Sequence, residues 1–294
     1  MPSRRSFIKS ASLLATGAII KPHMPNFKKH IIGLQLYTVR DAMQKDPAGT
    51  LSRVAAMGYN SVEGATYTGT ENFYGMDAAA FAALLKQNGL IMPSSHYRLG
   101  EEKNKGEIVK GTILHNWDAA VDNAAAVGIK YMVCAYLSEQ ERGAIDHYKY
   151  IAEQLNKAGE RCKTSGIQLC YHNHDFEFAN QDGTLPYDIL LNSTDKDLVK
   201  MEVDLYWVRK AGKDPVELIK QHPGRFPLWH VKDMDNTPQK AFTEVGNGTI
   251  DFKKIFKEAK KAGLKYFFVE QDKTPADPFV SIQKSITYIK GNLL

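Results

Sequence analysis

Eight short apolar runs, each followed by a stretch with helical spacing, constrain this chain more than any other feature. The runs are IIGLQLY (31–37), NSVEG (60–64), LIMPSSH (90–96), KYMVCAY (130–136), IQLCYHN (167–173), KMEVDLYW (200–207), PLWHVKD (227–233) and YFFVEQD (266–272). Most are apolar at successive positions, as strands covered on both faces are. Between them lie helical patterns such as DAAAFAALLKQNG and YKYIAEQLNKAGERCKTSG. Gly58, Gly89, Gly128, Gly166 and Gly263 stand just before the next run, where a left-handed glycine closes a helix. Eight units of roughly 33 residues predict an α/β chain folded as a single-domain (β/α)8, or TIM, barrel. The competing architecture is a doubly wound open sheet. No G-x-G-x-x-G follows the first run, where that fold would hold a dinucleotide. The stretch EVGNGTIDF (244–252) reads as a loop before a late helix, with Thr249 or Asp251 as its cap.

Residues 1–30 differ from the rest. SRRSFIK (3–9) carries paired arginines, and ASLLATGAII follows at once. This is the pattern of a twin-arginine export leader, so 1–30 is expected to be a leader, 31–294 the barrel, and the address periplasmic. The apolar run is shorter than the roughly 20 residues that span a bilayer, so no stable membrane anchor is expected. No cysteine follows it to carry a lipid. The leader holds six basic residues (Arg4, Arg5, Lys9, Lys21, Lys28, Lys29) and no acid. The net charge of +5 less these six leaves −1 for the body. A near-neutral body argues against a nucleic-acid partner, which needs a concentrated basic face. Cys134, Cys162 and Cys170 are too few, and odd in number, for a disulfide framework.

In a barrel of this kind the active site lies at the C-terminal ends of the strands. Polar groups gather there: Gln35 and Tyr37, Glu63, His96 and Arg98, Tyr136, then His172, His174 and Glu177. Glu202, Asp204 and Trp207 follow, then His230, Lys232 and Asp233, and last Glu270 and Asp272. Residues two apart on a strand share a face, so Cys170, His172 and His174 point together. Glu202 with Asp204, and His230 with Lys232, do likewise. Each has an ordinary structural reading: a histidine beside Trp229 packs, an Asp in VDLYW caps a loop, Glu63 pairs with a rim arginine. Convergence of all of them on one rim favours a site. Mixed imidazole and carboxylate donors suit one divalent ion such as Mn²⁺, Co²⁺, Zn²⁺ or Mg²⁺.

The stretches YHNHDFEF, VDLYWVRKAGKDP, LWHVKD, VEQD, GLQLYTVRD and GYNSVEG together resemble the sugar isomerase/epimerase group of xylose-isomerase-like barrels, over about residues 31–290. The resemblance implies a TIM barrel with one divalent ion acting on a sugar, keto-sugar or cyclic polyol. Its usual ligands are a Glu on strand five, an Asp on six, a His on seven and a Glu on eight. The last three map onto Asp204, His230 and Glu270. The strand-five Glu falls on Cys170, so His172 or His174 must take over, as in the similar inosose dehydratase branch. The expected ligand set is His174, Asp204, His230 and Glu270, with His172 the alternative to His174. Glu270, His172 and Lys232 are the expected catalytic groups. Glu63, His96, His174, Glu177 and Trp207 are the expected substrate contacts.

The family's chemistry begins with removal of a proton beside a carbonyl to give an enediolate. Isomerisation, epimerisation or elimination follows. Loss of the strand-five Glu removes one of the two bases an epimerase uses, and leaves elimination or dehydration ahead. A non-catalytic sugar-binding barrel is the alternative. The partner is a small sugar or keto-sugar, and a homodimer is compatible with the family. No phosphate cradle is visible beyond GNG at 246–248.

Overall fold

Eight parallel strands close on themselves. They are β1 (Gly33–Gln35), β2 (Ser61–Gly64), β3 (Ile91–Tyr97), β4 (Tyr131–Cys134), β5 (Gln168–His172), β6 (Val199–Asp204), β7 (Leu228–Val231) and β8 (Tyr266–Val269). Each pairs with its neighbours in sequence, and β1 pairs with β8 to complete the barrel. The computed structural model describes residues 31–65, 67–69, 72–101 and 103–294. The expected leader, 1–30, lies outside them. Among the described residues no helix is long and apolar enough to cross a membrane.

Several helices start where a carboxylate can take an orphan amide. Asp77 accepts from Ala80 N at 2.8 Å to open Ala78–Gln87. Asp251 accepts from Lys254 N at 2.9 Å and is the cap expected of EVGNGTIDF. Helices stop at glycine: Gly128, at φ +91°, sends its amide back to Ala124 and Ala125. The long helix Ile145–Thr164 buries Tyr148, Ile151, Ala152, Leu155, Ala158 and Cys162, a stripe at three- and four-residue spacing. Leu155 is wholly buried there, and truncating it to Ala would cost about 2–5 kcal/mol.

Among the strands that end sooner than the apolar runs suggest, β1 and β6 do so for the same reason. Gln35 Oε1 accepts from Tyr37 N at 3.0 Å and bends the chain into a 3-10 turn, Leu36–Val39. Asp204 Oδ1 accepts from Trp207 N at 3.0 Å and starts the helix Leu205–Lys210. A side-chain cap overrides the apolar pattern in both places. Inside the barrel Cys170 packs with Val133, Leu228 and Phe268. That apolar cluster fills the interior and leaves the C-terminal ends of the strands to polar groups.

Candidate metal and substrate site

The inward residues of neighbouring strands meet in two tiers of acid linked by histidines. In the lower tier, Glu63 Oε2 lies 2.5 Å from His230 Nε2 and accepts from Gln35 Nε2 at 2.8 Å. Glu202 Oε2 lies 2.8 Å from His96 Nε2, 3.0 Å from His172 Nδ1 and 3.2 Å from His230 Nε2. In the upper tier, His230 turns its other nitrogen, Nδ1, to Glu270 Oε2 at 2.7 Å. His172 turns Nε2 to Asp204 Oδ2 at 3.5 Å. Lys232 Nζ closes the tier, 2.6 Å from Glu270, 2.7 Å from Asp272 and 2.9 Å from Asp204. Strand register produces this: His172 is level with Glu202, and Asp204 with His230.

Burial and charge compete at every group. Burial alone would raise the Glu63 carboxyl, but His96 and His230 outweigh it and hold the group well below the usual carboxylate range. Burial likewise would raise Glu270, and Lys232 and His230 hold it well below. Asp204 goes the other way: desolvation wins over Lys232 and His230 and pushes it up to about 6. Burial disfavours charge on His230, yet Glu202, Glu270 and Glu63 raise it well above the ordinary imidazole value. His96 rises to about 9 against its burial, through Glu63 and Glu202. Burial and the neighbouring His230 keep His172 neutral, and burial and Lys232 do the same for His174.

The residues fit a metal ion. Five carboxylates (Glu63, Glu202, Asp204, Glu270, Asp272) face one lysine and three imidazoles in a closely packed space. Glu63 Oε1 and Glu202 Oε1 are buried with no hydrogen-bond partner among the described residues. Asp204 Oδ2 touches Lys232 Nζ without hydrogen-bond geometry. Unsatisfied buried anions are costly, and a cation relieves them. Two groups bring their ligand atoms within 4.8 Å of one another: His96, His172, Glu202 and His230 below, and Asp204, His230 and Glu270 above.

Above this floor opens a cavity of about 700 Å³. His96, His172, His174, Trp207, Lys232 and Glu270 line it, all expected at the site. His174, the expected strand-five ligand, stands outside both ligand groups. The strand ends at His172, so the two-residue alternation no longer applies. Glu177 Oε2 accepts from His174 N at 2.8 Å and turns the backbone there. The His174 ring then packs against Tyr136, Phe176 and Trp207. Two expected substrate contacts do not line the cavity. Glu177 is wholly buried, with Tyr171 OH donating to it at 2.7 Å, and Glu63 lies beneath the floor.

The sequence reading left Glu202 without a role, though it shares the face of Asp204. Spacing alone does not say which acid lies deeper. Arg142 and Phe176, which line the outer wall, carry no sequence signal that sets them apart. The GNG loop is not a vacant anion cradle. Asp233 Oδ2 accepts from Gly246 N at 2.9 Å and Gly248 N at 3.0 Å, and its Oδ1 from Met234 N and Ile250 N. The protein's own carboxylate takes the place a phosphate would need.

The model of the xylose isomerase-like TIM barrel family matches residues 51–290. The chain belongs to that family. A sugar phosphate isomerase/epimerase from Parabacteroides distasonis superposes on this xylose isomerase-like barrel with a TM-score of 0.77 at 28% identity, covering 92% of this chain and 96% of that one. An inosose dehydratase of Clostridium perfringens is 30% identical over 164 residues, 49% of this chain and 54% of the relative. The chain thus spans about half the length of the curated relatives it matches. The IolI protein with a bound zinc atom shares the fold at a TM-score of 0.67 and 14% identity, over 89% of this chain and 97% of that one.

Proposed function

We propose that this xylose isomerase-like barrel is a metal-dependent enzyme that removes the proton beside the carbonyl of a keto-sugar or cyclic polyol ketone. Elimination of water or another group then follows ahead of epimerisation. The observation that carries this is the convergence of Asp204, His230 and Glu270 beside Lys232, with His172 Nε2 3.5 Å from Asp204 Oδ2. One divalent ion held by Asp204, His230 and Glu270, with His172 as a further donor, would polarise a carbonyl oxygen and favour negative charge on it.

The chain's own groups divide the remaining work. Lys232 beside Glu270 favours its ionised form, the form that accepts a proton. His96 and Lys232 stay protonated and can donate. The balanced step is transfer of the α-proton to Glu270, breaking of the carbon–oxygen bond as the double bond forms, and proton delivery from His96 or Lys232 to the departing oxygen. Epimerisation needs a second acceptor on the opposite face of the carbon. Cys170, at the strand-five position, is buried among apolar side chains with its thiol pushed well up. It supplies no such base. The naming of the Clostridium relative as a dehydratase agrees with this order, and the isomerase/epimerase name of the Parabacteroides neighbour is the second reading. Product mass separates them: loss of water or of a leaving group supports elimination, and a product isomeric with its substrate supports isomerisation.

A further inference from the structure

We propose that the outer half of the cavity is a second binding site, which holds a flat ring attached to the sugar that reaches the floor. This rests on reading the floor as a sugar site and adds the substrate class: a glycoside or disaccharide rather than a single sugar ring or cyclitol.

Size comes first. A six-carbon sugar has about twelve heavy atoms, and at roughly 20 Å³ each, below the ~30 Å³ of a liquid water, it needs about 240 Å³. The cavity offers about 700 Å³. Two thirds of it is left for something else.

The composition of the walls says what. Lys232 and Glu270 lie at the ends of β7 and β8. Tyr136, Arg142, His174, Phe176 and Trp207 follow β4, β5 and β6, which are adjacent in the barrel. The wall beyond β4, β5 and β6 is therefore rich in aromatic rings, with Arg142 among them. Tyr136 stands edge-on to His174 at 4.9 Å and to Phe176 at 5.9 Å, yet remains 45% exposed, so it is no core residue. The Arg142 guanidinium lies 3.7 Å over the Phe176 ring and donates from Nε to Leu137 O at 2.8 Å. Its Nη2 meets the Tyr136 hydroxyl. These contacts fix the wall in place before any ligand arrives. His174 Nδ1 is buried, with no partner among the described residues. Aromatic faces bind flat rings with apolar faces, whether a pyranose or an aryl group. An unpartnered imidazole nitrogen beside them suits a hydroxyl or bridging oxygen.

The test is fluorescence titration of the purified full chain with methyl and phenyl glycosides of glucose, galactose, mannose and xylose. Cellobiose against methyl β-glucoside distinguishes a second pyranose from an aryl occupant. Trp207 lines the cavity while Trp117 and Trp229 are buried, so quenching reports this wall. We expect at least one two-ring ligand to bind about tenfold tighter than its methyl partner. Tyr136→Ala and Phe176→Leu should each shrink that ratio about threefold or more. A ratio below about fivefold for every pair, or one that survives both substitutions, overturns the inference. Ketose α-proton exchange is followed on the same preparation. Exchange without the two-ring preference overturns the inference and leaves the enzymatic reading standing. The preference without exchange upholds it and counts against that reading.

Discussion

Glu202 Oε2 lies 3.0 Å from His172 Nδ1, with both groups buried on neighbouring strands. The carboxylate holds the proton of His172 on Nδ1 and leaves Nε2 free toward Asp204, the arrangement in which an outer carboxylate orients a metal-binding histidine. Glu202→Gln keeps the shape and removes the charge. Metal affinity should fall about 10–100-fold, as measured by competition with a chelating dye, while the protein stays folded. Complete loss of metal would instead make Glu202 a ligand and move the ion to the lower tier.

His172 and His174 should separate cleanly. His172→Ala and Asp204→Ala each remove a donor from the upper tier and should lose metal by elemental analysis, with the circular dichroism spectrum unchanged. His174→Ala should keep its metal and lose substrate affinity, because its ring belongs to the aromatic wall. Loss of metal in His174→Ala would restore it as the strand-five ligand.

Much of this site was legible in the sequence because strand alternation is a strict rule. Glu202 with Asp204, and His230 with Lys232, could be paired from spacing; Asp204, His230 and Glu270 are grouped by the family pattern, and the barrel is read from eight repeats. The rule fails where a strand stops. His172 is the last residue of β5, and Asp204 turns the chain into a helix before Trp207, so His174 and Trp207 went where local caps sent them. Depth was illegible too. Glu63 and Glu202 look like rim residues in sequence, and only the folded barrel shows that they sit against His230 and His172 without lining the cavity.

Glu177 gives a pH signature of stability. Burial pushes its carboxyl up to about 7, from an ordinary 4.5, against the hydrogen bonds from Tyr171 and His174. The unfolded chain releases that proton near 4.5 and the folded chain holds it to about 7. Its contribution is thus complete at low pH and is lost as pH rises through that window, a change on the order of 3 kcal/mol. Urea unfolding of the wild type should weaken relative to Glu177→Gln between roughly pH 4.5 and pH 7.5. Parallel pH profiles for the two proteins would contradict this.

Periplasmic export remains a proposal resting on SRRSFIK. Replacing Arg4 and Arg5 together with Lys should retain the protein in the cytoplasm, as read by cell fractionation. Normal delivery of the double variant would refute the twin-arginine reading.

The most direct test of the central claim is deuterium uptake at the carbon beside the carbonyl when the metal-loaded protein meets a panel of keto-sugars in D₂O. Uptake should require the metal, and in Glu270→Gln preparations that still hold metal it should drop by about 10²–10⁴-fold. Uptake that is the same without metal, or unchanged in Glu270→Gln, would contradict the account. So would its absence from every keto-sugar offered.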